Sequence, residues 1–338
     1  KHLMFHDYLS AHEREARRAL IDLFRVLNQK PEERDPYMDE DLAAFPYVNG
    51  GLFADEDTII PRLNEEIVSL ILRRASEDFD WSAISPTIFG AVFESTLNPE
   101  TRRSGGMHYT SIENIHKVID PLFLDGLKAE FEETCKIPVE RTRKNKLEIF
   151  QRKLADLSFL DPACGSGNFL TETYLSLRRL ENQVLAMIIA ATKSQVAGQI
   201  MFGDEGEGNP IKVSIGQFYG IEINDFAVTV AKTALWIAES QMMKETEDIV
   251  HTSLDFLPLK SYANIIEGNA LQLDWESVIP KYKLNYIMGN PPFIGYSLQS
   301  KEQKEDILSI YIDEKGKPYK TAGKIDYVAG WYFKAAQL

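Results

Sequence analysis

The order of apolar and polar positions divides the chain into two textures. Through the first hundred residues the spacings are helical. Ala11 to Leu27 is highly charged but carries a stripe at Leu20, Leu23, Phe24 and Leu27, and Asn64–Ala75 and Pro86–Leu97 repeat apolar residues every three or four positions. No alternating strand pattern competes there. Phe45 to Phe53 (FPYVNGGLF) holds the Asn-Gly-Gly of a tight turn, where positive φ costs Gly nothing and Asn little. Arg102 to Thr110 (RRSGGMHYT) reads as a Gly-hinged loop. Ser111 to Leu127 then supplies a helix start and an apolar face at Ile112, Ile115, Val118, Ile119, Leu122 and Phe123.

After a basic segment, strand-like and helical stretches alternate, the signature of a parallel sheet with crossover helices. Strands are expected at Leu157–Leu160, Gln217–Ile223, Asn264–Glu267 and Leu284–Met288, with helices running from Asn168 toward Ala191, over Asp225–Met243 and from Asp326 onward. Met201 to Pro210 (MFGDEGEGNP) reads as an exposed loop. The fold class expected is therefore α/β, a Rossmann-like sheet preceded by a helical domain.

Composition narrows the classes. The 338 residues are 44% hydrophobic and 26% charged, which excludes a disordered chain. No apolar run approaches the roughly 18 residues that cross a bilayer. Cys135 and Cys164 lack a CxxC or a neighbouring His at ligand spacing, so neither a disulfide framework nor a zinc site is expected, and the compartment expected is the reducing cytoplasm. The chain starts without Met and stops in a helix-like stretch, and is read as a fragment of a longer polypeptide. A net charge of −14 disfavours non-specific attraction to a polyanion over the surface as a whole but leaves room for a local basic groove. Pro31–Asp41 is acidic and Arg141–Lys153 basic; both read first as solvated faces.

The chemistry-bearing motifs lie at the strand ends. FLDPACGSGNFL (Phe159–Leu170) places Asp161 at the end of a buried strand and Gly165 and Gly167 in the turn opening the next helix. In a doubly wound sheet that turn meets ligand, and glycines let the backbone approach it. The string departs from GxGxxG, and Asp161 would repel a pyrophosphate but suits an ammonium or a bound water. Glu222, with Ile223 and Asn224 after it, stands where an acid holds the ribose hydroxyls of an adenosine ligand; a plain surface acid is the alternative. Asn269 in EGNA (Glu267–Ala270) is placed to meet an adenine amino group. Asn290, Pro291, Pro292 and Phe293 follow the last strand. A proline pair can simply terminate a strand, but it also fixes the backbone so that the Pro291 carbonyl and the Asn290 side-chain oxygen accept both hydrogens of one planar exocyclic amine, with Phe293 stacked on the base. An adenine N6 in duplex DNA reaches such a pocket only when flipped.

DPACGSGNF followed by NPPF resembles the γ class of amino-methyltransferases acting on adenine N6 of DNA, and HYTS (His108–Ser111) is similar to that class's motif ahead of the cofactor strand. With FPYVNGGLF, SGGMHYT, QFYGIEIN and DYVAGWYFKAA, the resemblance narrows to the fused restriction-modification enzymes of types IIG and IIL. It implies a helical connector domain at residues 1–100 and a C-terminally truncated catalytic domain at residues 101–338 that uses S-adenosylmethionine. It implies that Asp161, Ala163, Gly165 and Gly167 cradle the methionine part, with Tyr109 and Thr110 closing over it. Glu222 would bind the ribose, and Ile223, Asn269 and Ala270 would flank the adenine. The family often has Asp where Asn269 stands. Asn290, Pro291, Pro292 and Phe293 would form the catalytic loop. No metal is expected, because a sulfonium already provides the leaving group, and double-stranded DNA is expected to bind through a recognition domain absent from this chain. The rivals are an NPPY-type methyltransferase of protein glutamine or guanine N2, and a non-catalytic, cofactor-gated module of a phage-defence system.

Overall fold

The computed structural model describes residues 3–47, 59–78, 84–88, 110–193, 210–251 and 264–338. The expected tight turn at Val48–Phe53, most of the helix expected over Pro86–Leu97, the loop Arg102–Tyr109 and the loop Met201–Asn209 lie outside the described residues. The described residues form two compact units, one up to Ser85 and one from Pro86 on.

In the first unit, α1 (Met4–Ala11), α2 (Ala16–Asn28), the short α3 (Glu40–Ala43) and α4 (Glu65–Leu72) pack on one another. The stripe on α2 does what its spacing requires: Ala16, Ala19, Leu20, Leu23 and Val26 are buried against Leu9, Leu42, Phe45, Val68 and Leu72. The charge of Arg34 is turned inward on backbone carbonyls of Ala43 and Phe45, at 2.9 and 2.8 Å, which closes the acidic loop after α2. Asn64 caps α4 through Ile67 N at 2.8 Å.

The second unit begins its described helices with α5 (Ile112–Ile119), which passes through a π-turn into α6 (Asp125–Cys135), and α7 (Glu140–Asp156). Next come β1 (Phe159–Asp161), α8 (Asn168–Lys193), β2 (Phe218–Glu222), α9 (Asp225–Val250), β3 (Asn264–Glu267), β4 (Tyr286–Ile287), α10 (Lys301–Ile310) and α11 (Ala329–Gln337). The sheet is parallel, in the order β3-β2-β1-β4. Parallel pairing needs crossovers, and both faces are accordingly covered. On one face Phe159 stacks between Phe218 and Tyr286, at ring separations of 5.3 and 5.5 Å. On the other, Leu160 and Ile221 join Leu271, Trp275, Ile307, Tyr327 and Trp331 in one cluster. These layers bury the central strands β1 and β2 and leave the carboxyl ends of the strands as the edge where loops diverge.

Strand boundaries differ from the sequence pattern in one instructive way. The apolar run Leu284–Met288 contributes only Tyr286 and Ile287 to the ladder, because Ser158 claims its first part: the Ser158 backbone N–H donates to Asn285 Oδ1 at 2.9 Å and its hydroxyl to the Lys283 carbonyl.

Candidate active site

Four strands running the same way deliver four loops to one edge, and the motif residues sit there. Asp161 closes β1 and Glu222 closes β2; Gly289 and Asn290 follow β4, and Gly268, Asn269 and Ala270 follow β3. The turn after β1 is laced to the end of β2. Cys164 N donates to the Ile221 carbonyl at 3.1 Å, Gly165 N to Glu222 Oε2 at 2.9 Å, and Asn224 N to Glu222 Oε1 at 3.0 Å. Gly165 has φ +54° and open space where a Cβ would stand, so its backbone borders the opening. Gly167 behaves differently: a Cβ there would lie 2.8 Å from the Ala231 Cβ, so this glycine is needed for contact with α9. Ala163 is half-buried, its N–H donating to Asp161 Oδ1 at 3.0 Å.

Asp161 is 1% exposed and Glu222 7%. Burial pushes the Asp161 carboxyl up to about 7; the Ala163 N–H pulls it down and the neighbouring Glu222 charge pushes it up further. Burial also raises Glu222, against the pull of the backbone N–H groups of Asn224, Gly165 and Ile223. Among the described residues neither acid has a cationic partner. Two buried carboxylates on adjacent strands without a cation are costly unless protonated or met by a positively charged ligand. That fits a ligand carrying an ammonium group and a ribose diol.

The β1 acid touches the β4 loop directly. A Cβ on Gly289, whose φ is +154°, would come within 2.3 Å of Asp161 Oδ1. The next residue, Asn290, is exposed and donates through Nδ2 to Thr110 Oγ1 at 3.3 Å. Thr110, Asp161 and Asn290 thus lie at one edge; Tyr109 lies outside the described residues. Pro291 and Pro292 are half-buried, while Phe293 is 71% exposed, with no ring partner among the described residues. Ile223 is 64% exposed at the mouth. Ala270 is buried, its carbonyl accepting from Trp275 Nε1 at 2.7 Å.

The amide of Asn269 is engaged at both ends. Its Oδ1 accepts from Leu271 N at 2.9 Å and its Nδ2 donates to Asp306 Oδ2 at 3.0 Å. Buried Asp306, on α10, also accepts from Gln272 Nε2 at 2.7 Å and from the Tyr327 hydroxyl at 2.7 Å. It joins the turn after β3 to the chain that follows the Asn290–Phe293 loop, and no sequence motif pointed to it. Trp331 was also missed as a site residue: its indole N–H donates to the Pro162 carbonyl at 2.9 Å and holds the DPAC turn. The DYVAGWYF string was its only signal. No group of three metal-ligating side chains occurs among the described residues, nor any helix long and apolar enough to cross a membrane.

A parallel α/β sheet with acids closing its first two strands and an Asn-Pro-Pro-Phe loop after its fourth defines a methyltransferase-type catalytic domain. The family described as MmeI, DNA-methyltransferase domain, matches residues 138–338, and the MmeI helicase spacer domain matches residues 1–53. The chain belongs to the MmeI DNA-methyltransferase family. It is 38% identical over 320 residues to DNA methyltransferase A of Bacillus subtilis (strain 168), covering 94% of this chain and 33% of that protein. Its structure matches that of the type IIL restriction-modification enzyme MmeI, solved in complex with DNA, with a TM-score of 0.86 and 39% identity over 99% of this chain and 42% of that one. The chain spans a third to two fifths of the length of these relatives.

Proposed function

We propose that this chain is the catalytic part of a restriction-modification or related phage-defence enzyme that transfers a methyl group from S-adenosylmethionine to N6 of an adenine flipped out of duplex DNA. Residues 1–100 serve as connector and residues 101–338 as catalytic domain. The observation that carries this reading is the junction of the two half-sites: the buried Asp161 carboxyl lies against Gly289, and the next residue begins the Asn290–Phe293 loop. A group held by Asp161 and Glu222 would be adjacent to a base held by Asn290. The family membership and the DNA complex of the MmeI relative support the DNA substrate.

When bound, S-adenosylmethionine supplies a methyl group activated by its sulfonium. The chain supplies placement. Asp161 matches an ammonium, and Glu222, with both oxygens oriented by backbone N–H groups, matches a ribose diol. Asn290 Oδ1 and the Pro291 carbonyl accept the two amine hydrogens, which turns the N6 lone pair out of conjugation with the ring and stabilises the positive charge that develops on nitrogen. Phe293 offers the stacking surface that replaces the flipped base's lost neighbours.

The test is Asn290→Ala in the protein as naturally expressed, with methyl incorporation and cofactor binding measured on the same preparation. Transfer is expected to be lost and binding kept. An Asn290→Ala protein that still methylated DNA would remove the assigned role. In the unsubstituted protein, methylation of a protein glutamine or of guanine N2, with none at adenine N6, would replace the substrate, and binding of S-adenosylmethionine without any transfer would replace catalysis by a gating role.

A further inference from the structure

The catalytic loop does not stand alone on its edge of the domain. Between α10 and α11 the chain runs out as an arm, Tyr311–Lys324, with sequence YIDEKGKPYKTAGK. It is a folded hairpin. Ile312 and Pro318 form an antiparallel bridge, Tyr319 N donates to the Tyr311 carbonyl at 3.0 Å, and Asp313 N donates to the Lys317 carbonyl at 2.8 Å. The Asp313 carboxylate is consumed inside the turn, where Oδ1 accepts from Lys315 N and Lys317 N, both at 2.9 Å. Along the arm stand Lys315, Lys317, Lys320 and, at its foot, Lys324, all exposed, with Tyr319 and one exposed acid, Glu314, among them.

Two features bear on what these lysines can do, their clustering and the place where the arm is rooted. Some lysines elsewhere in this unit sit beside acids, Lys136 with Glu133, Lys153 with Glu130, Lys281 with Glu276 and Lys301 with Glu305, whereas the arm gathers four within ten residues. Among the described residues none of the four on the arm has an ion-pair partner, although the chain as a whole carries −14 and acids are plentiful. The second feature is where the arm is rooted. Tyr327 N donates to the Ile294 carbonyl at 2.9 Å, Tyr296 N to Asp326 Oδ1 at 2.9 Å, and Gln299 Nε2 to the Ile325 carbonyl at 2.8 Å. Ile294 directly follows Phe293. The foot of the arm is therefore tied to the catalytic loop.

We infer that the Tyr311–Lys324 arm grips the phosphate backbone of duplex DNA next to the flipped base. The inference rests on the proposed DNA substrate. A base inserted at Asn290–Phe293 brings its own strand to the foot of the arm, and unpaired ammonium groups there are opposite its phosphates. Lysine is a flexible point charge without the planar fork that reads base edges, so the grip contributes affinity and register but no sequence preference.

The test is the salt dependence of DNA binding by the naturally expressed protein, read by fluorescence anisotropy on a non-specific duplex between about 50 and 200 mM salt. The variants replace all four lysines by alanine or all four by arginine. Removing one ammonium–phosphate pairing flattens the slope of log K against log salt by about 0.9, so removing all four shrinks the fall in affinity over that range by roughly 150-fold. The arginine variant is expected to keep the wild-type slope. The inference is overturned if the alanine variant, with unchanged melting temperature and S-adenosylhomocysteine binding, keeps the wild-type slope and affinity. It is also overturned if the arginine variant loses as much as the alanine one, or if the natural protein does not bind DNA. Methyl transfer by the unsubstituted protein separates the two readings: transfer with an unresponsive slope removes the arm and leaves the function, and absence of transfer with a flattened slope does the reverse.

Discussion

The protonation of Asp161 makes cofactor binding depend on pH in a calculable way. Its carboxyl is held at about 7 by burial, against an ordinary 3.8, so below neutrality the ligand-free protein carries it protonated. An ammonium placed against it favours the carboxylate and returns it toward its ordinary range. Binding then releases a proton between these two values, and affinity rises with pH across that window. For a site titrating at about 7, the fraction of carboxylate rises roughly 25-fold between pH 5.5 and 7.5, and affinity follows. The assay is calorimetric titration with S-adenosylhomocysteine, which carries the same ammonium, in two buffers of different ionisation enthalpy. Wild type is expected to release close to one proton at pH 6, and Asp161→Asn to bind more weakly with a flat profile. A wild-type affinity constant over this range, or an equal slope in Asp161→Asn, would refute the reasoning. The same shift sets a stability trend. With the folded value above the unfolded one, the contribution of Asp161 is fully present below 3.8 and is lost as pH rises through about 7. Asp161→Asn removes a charged-state penalty of up to about 4 kcal/mol at pH 8, so the ligand-free variant should melt above wild type there and level with it near pH 4.

Gly289→Ala drives a methyl group into the Asp161 carboxyl at 2.3 Å from a φ that L-residues avoid; a cost of about 1–3 kcal/mol, or a melting point lower by about 2–12 °C, is expected together with weakened cofactor binding. Gly126→Ala, on α6 with nothing within 4 Å, should be neutral or stabilising in the same melt, and equal effects would mean the clash is relieved elsewhere. Thr110→Val removes the acceptor that orients the Asn290 amide, so single-turnover methylation should slow by about 5–10-fold and recover in Thr110→Ser; equal losses in both would point to shape instead of the hydroxyl. Arg178→Ala strands the fully buried Glu181, which also accepts from Gln151 Nε2 at 2.8 Å and Lys212 N at 2.7 Å. Urea unfolding should show a loss of about 3–5 kcal/mol, and a loss under 1 kcal/mol would mean that water reaches the pair.

How far the sequence could be read follows from which interactions are local. Asn264–Glu267 is a strand with the expected bounds because its apolar pair and flanking turns carry all the information needed. The helix α7 went unread because six basic residues dominate Arg141–Lys153. Its signal was nonetheless there: Leu147, Phe150, Gln151 and Leu154, at intervals of three and four, are the positions it buries. The helix α10 is absent from the elements expected above, although Ser300 and Gln303 make a capping box whose two reciprocal bonds both form. Other features were not legible at all. That Gly167 serves contact with Ala231, that Asn269 spends its amide on Leu271 and Asp306, and that Asn290 leans on Thr110 are consequences of strand order. Motif spacing names the residues at an edge; only packing decides which atoms remain available to a ligand.

The distribution of charge then resolves an apparent conflict between the acidity of the chain and a polyanionic substrate. Under the proposed function a cationic cofactor and an anionic nucleic acid meet at one edge of one sheet, and a single field cannot attract both. The acids that suit the cofactor are withdrawn to the ends of β1 and β2, where Asp161 and Glu222 are buried and burial favours their neutral forms in the ligand-free protein. The lysines that suit phosphate stand on an exposed arm beyond the catalytic loop, with the turn acid Asp313 engaged by backbone N–H groups. Screening reinforces the separation: with a Debye length of about 8 Å at physiological ionic strength, exposed charges act on what they touch and little beyond. A net charge of −14 therefore does not oppose DNA at the arm, and adding salt should weaken DNA binding while leaving affinity for the buried cofactor site nearly unchanged.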